Sequence, residues 1–216
     1  MDRSGVIPFP LDRRRLAPGF SSVGVRGRAV PAERLQKEEP AGEPLAFLSV
    51  ELRRLPRSGS RIDGDVAGRI LNRCVLAALR VLSAEGVHVD LAGTVLRPVI
   101  EATFDGAGGA LRAARASLAL GDAVRGVQRE SENEFHVMGA ITSGSTSEIE
   151  RGVHVVAGSP RQVAARVREH AAPAQILLAE DAWLSCRDAV VVANPAVEVT
   201  MPGSDPVPAY SLSSVR

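Results

Sequence analysis

Between residues 45 and 127 the apolar positions change period in a fixed order, and that order limits the fold more than any single motif does. Leu45 to Leu52 alternates, with Ala46, Leu48, Val50 and Leu52 on one side and Leu45, Phe47, Ser49 and Glu51 on the other. A period of two is that of a strand, and it puts Glu51 on the face opposite the Val50/Leu52 row. From 66 to 84 the period becomes helical, with Ala67, Ile70, Leu71, Cys74, Ala78, Val81 and Leu82 at i, i+3, i+4 spacing. Val75, Leu76 and Leu79 widen that stripe, which implies deep burial or a second packing partner. Asp63 or Asp65 is the N-cap, and Gly86 ends the helix.

The remaining punctuation completes the pattern. Residues 87–91 and 95–102 read as a hairpin around an Ala92-Gly93-Thr94 turn, with Pro98 marking an edge or a bulge. Asp105 to Gly109 leads into a helix over 110–127, and Phe135 to Ser143 is strand-like. A short strand at 153–156 precedes a helix that has Pro160 in its first turn and runs to about 170. A strand at 176–179, a helical turn at 180–184 and short strands at 189–193, 197–201 and 207–212 close the chain. Helices on a mainly antiparallel sheet make an α+β fold with a ferredoxin-like βαββαβ core and added C-terminal strands. Such a core hosts many activities, so function has to come from particular residues.

Residues 1–44 carry six prolines and no sustained period, which predicts a flexible Pro/Gly/Arg-rich tail before a domain at 45–216. Arg13, Arg14 and Arg15 in that tail read as solvated charge, with a small anion patch as the other reading. A formal net charge of +1 gives no global field toward nucleic acid or anionic lipid. No stretch has the length of a membrane span, and the first residues lack the apolar run of a secretory signal. Cys74 and Cys186 are too few and too far apart for a disulfide framework or a zinc site, which points to a reducing, cytoplasmic setting. Gly106 to Gly109 could present backbone N–H groups to an anion, but it lacks the P-loop and dinucleotide patterns and reads as a plain loop. Trp183 reads as a packing anchor, and the four histidines have no metal-ligand spacing. Of 26 basic residues only Lys37 is a lysine.

Several short motifs, in order, resemble the catalytic domain of class III adenylate/guanylate cyclases over about 45–212. Ser49-Val50-Glu51-Leu52 stands at the end of the first strand, and Asp90 to Thr94 at the hairpin. Ala140-Ile141-Thr142-Ser143-Gly144 follows, then Gly158 to Arg166 opening a helix, and Pro206 to Leu212 closing the sheet. The resemblance implies a dimer with shared sites, and two divalent ions held by two aspartates. Those positions are Glu51 and Thr94 here, and threonine supplies no charge. The base-recognising lysine falls on Asp90, a reversal of charge, and another base contact falls near Val155. The ribose-orienting asparagine falls on Gln162, and the phosphate-contacting arginine is retained as Arg166.

The resemblance therefore implies a catalytically degenerate nucleotidyl cyclase-like domain, a signalling or dimerisation module. It would pair with itself or with a cyclase-type or other signalling protein. Its partial site is Glu51 as a vestigial metal residue, with Gln162 and Arg166 for nucleotide. No cofactor is expected, and Mg or Mn only if nucleotide still binds. The alternative is an unorthodox or heterodimer-dependent cyclase that makes a cyclic nucleotide from ATP or GTP. An unrelated ferredoxin-like binding domain is a third possibility.

Overall fold

The computed structural model describes residues 43–56, 63–128, 135–145, 159–200 and 206–216. The expected tail up to residue 42, Arg13 to Arg15, the strand at 153–156, Val155, His154 and Gly158 lie outside the described residues. In chain order the elements are β1 (Pro44–Arg54), α1 (Gly64–Ala84), β2 (His88–Thr94), β3 (Arg97–Asp105), α2 (Gly109–Gln128) and β4 (Phe135–Ser145). They continue as α3 (Pro160–Glu169), β5 (Ile176–Ala179), α4 (Glu180–Cys186), β6 (Val190–Val199) and β7 (Val207–Val215). The fold is α+β, as the order of periods predicts.

The described strands form one seven-stranded sheet in the order β2-β3-β1-β4-β5-β7-β6. Only β4 and β5 run parallel, and every other neighbouring pair is antiparallel. The alternation along β1 separates two cores. Ala46, Leu48, Val50 and Leu52 join Ile100, Ala102 and Phe104 beneath α1 and α2. On the opposite face Met138, Ala140, Leu177 and Ala179 pack with Val167 of α3. Gly139 sits where β4 crowds against β1 and β5, since a Cβ there would come within 2.8 Å of Ile176 Cδ1 and 3.1 Å of Val50 Cγ2.

Asp63 caps α1 by accepting from the Asp65 N–H at 2.7 Å. The wide stripe of α1 has a local explanation, because the helix lies mainly against α2 as well as over the sheet. Val75 and Leu79 pack onto that core, whereas Leu76 is half exposed. Cys74 is fully buried, and burial pushes its thiol up to about 11, as befits a small hydrophobe. Trp183 is the expected anchor, stacked on Tyr210 with ring centroids 4.4 Å apart. The Gly106 N–H donates to the Pro44 carbonyl of β1 and the Gly109 N–H to the Gly106 carbonyl, so both groups already have backbone partners. Among the described residues no helix is long and apolar enough to cross a membrane.

Two local expectations are corrected. The hairpin turns at Val95-Leu96, not at Ala92-Gly93-Thr94: Thr94 pairs with Arg97, and the Thr94 hydroxyl accepts from the Arg97 N–H at 3.1 Å. Gly93 is needed within the strand end, where φ is +81° and a Cβ would lie 2.3 Å from the Arg97 carbonyl oxygen. Pro98 is tolerated in an inner strand because β1 pairs with β3 only as far as Val99, so no third strand needs its missing N–H. At the C-terminus the two strands expected at 189–193 and 197–201 are one strand, β6, with irregularities in its register against β7.

Candidate functional site

Glu51 lies near the end of β1, on the face opposite the main core, and is only 5% exposed. Period two also puts Arg53 on that face, and Arg53 grips both carboxylate oxygens: Nε donates to Oε1 at 2.8 Å and Nη2 to Oε2 at 3.1 Å. The hairpin returns the chain so that Arg97 Nε donates to the same Oε1 at 2.8 Å. Two guanidiniums thus share one carboxylate. Burial acts to raise its pKa, but the hydrogen bonds and charges of Arg53 and Arg97 outweigh burial and hold it at about 2.

The sign of the pH dependence follows from that depression. A carboxylate near 4.5 when unfolded and near 2 when folded contributes fully above about pH 4.5 and progressively less as pH falls toward 2. The contribution is at most about 3 kcal/mol, since the Arg97 partner is largely solvated. Urea unfolding of wild type and Glu51→Gln at pH 6 and pH 3 should therefore show a stability gap that narrows at the lower pH. A gap of equal size at both values would contradict this account.

The other predicted positions stand as follows. Thr94 is exposed and closes the hairpin turn. Asp90 is half exposed, with His88 Nε2 at 3.3 Å and Arg161 Nη2 at 3.9 Å. Gln162 is exposed in the first turn of α3, where its backbone N–H donates to the capping Ser159 hydroxyl. Arg166, one turn later, is partly exposed and pairs with Glu169 of its own helix at 2.9 Å. Glu51 and Arg166 are linked only indirectly: Arg97 bonds to Glu51 and also lies within range of the charge on Glu169.

Sequence reasoning missed five residues at this face. Glu101 is nearly buried and paired with Arg161, whose guanidinium also lies over the Phe47 ring, 5.8 Å from its centroid. Glu101 faces both Ser49 and Asp90 across the sheet, so Arg161 offsets two neighbouring carboxylates. Arg168 Nη1 donates to the fully buried Ser49 hydroxyl. Arg53 could have been found from its i+2 spacing to Glu51. Arg97 could not, because its approach depends on the hairpin register.

The donor set does not suit the pair of divalent ions that the resemblance implies. Such ions need several free carboxylate oxygens, and both oxygens of Glu51 already accept from arginines. Thr94 brings no charge. Among the described residues no three His, Cys, Asp or Glu side chains gather into a group able to hold a metal.

No protein-family model matches the sequence, and no curated protein matches it. Solved structures do match by shape. The adenylyl cyclase CyaB from P. aeruginosa superposes with a TM-score of 0.63 at 12% identity, covering 81% of this chain and 95% of that one. The guanylate cyclase domain of RhGC from Catenaria anguillulae, solved with GTP, gives 0.60 at 11%, covering 82% and 100%. A dimeric guanylyl cyclase domain of the RhoGC fusion protein from Blastocladiella emersonii gives 0.59 at 12%, covering 81% and 98%. At these identities shape is what is shared, and it extends over nearly the full length of each neighbour. The chain has the fold of a class III adenylyl/guanylyl cyclase domain.

Proposed function

We propose that this chain is a catalytically degenerate nucleotidyl cyclase-like domain that acts by dimerisation or regulatory binding. The observation that carries this reading is the closure of Glu51 by Arg53 and Arg97 on the strand where the fold's metal chemistry would begin. With Asp90 at the lysine position and Thr94 at the second acidic position, the groups that would hold the base and the second ion are replaced as well. A cyclase-type fold without that set keeps its surfaces, and one structural neighbour is described as a dimeric domain. The partner is a second copy or another signalling protein of the same type.

A second reading is favoured by one feature. Arg166 is partly exposed and pairs with Glu169 of its own helix, so the arginine that the resemblance assigns to phosphate is presented at the surface. In a mixed dimer it would serve a site whose metal ligands come from an intact cyclase.

Melting curves with and without ATP or GTP and Mn²⁺ test the absence of a complete nucleotide site in the isolated chain, which both readings require. A ligand at 100 times its Kd adds about 2.7 kcal/mol, which for a domain of this size is a rise of roughly 5–10 °C. The isolated chain is expected to shift by less than about 1 °C. A rise of several degrees would move the conclusion to a nucleotide-binding enzyme.

A further inference from the structure

We infer that Arg97 is a resident counter-ion: its guanidinium takes the place beside Glu51 that a divalent cation would need, and ties the tip of the hairpin to β1 without metal. The geometry is specific. Arg97 is the first residue of β3 after the turn, its N–H is tied to Thr94, and its side chain crosses to β1, 46 residues away in sequence. Beyond Val99 the hairpin loses its pairing with β1, so residues 93–98 project as a two-stranded tip from the three-stranded part of the sheet. An isolated two-stranded ribbon is marginal in water and needs a further anchor. At this tip the only side-chain tie to β1 among the described residues is the Arg97–Glu51 pair.

Charge and chemistry agree with this role. The Glu51 carboxylate is buried, and a buried charge is tolerated only when paired. Arg53 supplies one partner from the same strand, which holds the side chain still but ties nothing together. Arg97 supplies the other from a different strand. A dication approaching Glu51 would have to displace a planar donor that is covalently present at every moment, and would meet the positive charge of Arg53 besides. Arg97 is thus a positioning residue that also excludes metal. The inference does not depend on whether the chain turns over nucleotide.

Amide hydrogen exchange on the full chain tests it, comparing wild type, Arg97→Ala, Arg97→Lys, Glu51→Gln and the Arg97→Ala/Glu51→Gln pair, each in EDTA and in 5 mM Mg²⁺ or Mn²⁺. In wild type, exchange over the tip, residues 93–97, should be the same in EDTA and in either metal. Arg97→Ala should speed exchange there about tenfold while residues 110–127 keep their protection. Arg97→Lys should recover part of the loss, and the double variant should be no faster than Arg97→Ala. Slower exchange of the wild-type tip in Mg²⁺ or Mn²⁺, abolished by Glu51→Gln, would overturn the inference. So would an Arg97→Ala tip as protected as wild type. No nucleotide is used, so these outcomes stand apart from the melting experiment.

Discussion

Purified protein given ATP or GTP with Mn²⁺ is expected to form cyclic nucleotide at no more than about a thousandth of an ordinary cyclase rate. The size of the effect comes from charge. Phosphoryl transfer relies on positioning and on dications that offset charge in the transition state, so removing a metal ligand costs several kcal/mol, and each 1.4 kcal/mol is about tenfold in rate. The resemblance places one acidic position at Thr94 and the other at Glu51, which two arginines hold. Asp90 adds a negative charge where the resemblance places a base-recognising lysine. Direct assay of the cyclic product is the measurement. A rate within tenfold of working cyclases would refute the degenerate reading. Activity that appears only on mixing with an intact cyclase would favour the shared-site alternative.

The second large effect is on stability, and it identifies the core. Phe104 is fully buried where β3 passes beneath α2, and the Arg112 guanidinium lies over its ring at 5.6 Å from the centroid. Phe104→Ala removes a large apolar surface and leaves a void that close-packed neighbours cannot fill, at a cost of about 3–5 kcal/mol. Domain stabilities run at about 5–15 kcal/mol, so the urea midpoint should fall by roughly 1–3 M. Leu96→Ala makes the control: it is 76% exposed at the hairpin tip and should shift stability by no more than about 0.5 kcal/mol. Equal effects from the two substitutions would mean that the core has been misplaced.

What the sequence made legible follows physical lines. Elements whose own period sets them apart were readable: the alternation of β1, the stripe of α1, and Pro160 at the start of α3. The hairpin turn was not, because Gly93 has the conformation of a turn residue while serving a close approach inside the strand. The actual turn residues, Val95 and Leu96, are apolar and give no turn signal. The same slip hid the site. Glu51 was legible as a carboxylate at a strand end, and Arg53 was within reach of period-two reasoning. Arg97 reaches Glu51 only through the register of β3 on β1, which no local pattern encodes. Glu101 and Arg161 are likewise paired across 60 residues of sequence.

The interior position of β1, between β3 and β4, also governs how the domain can assemble in time. Its partners across the sheet lie about fifty residues downstream in β3 and about ninety in β4, and such distant pairings make folding slow. During synthesis β1 emerges early, with an apolar row prepared for helices that do not yet exist. At about 5–20 residues per second, several seconds pass before β4 arrives to cover its second edge. Throughout that interval Glu51 and Arg53 form a charged pair two residues apart on the waiting strand. A charge pair on an open edge discourages pairing with the wrong chain, so Glu51, which receives Arg97 in the finished domain, also guards the strand while the domain is incomplete.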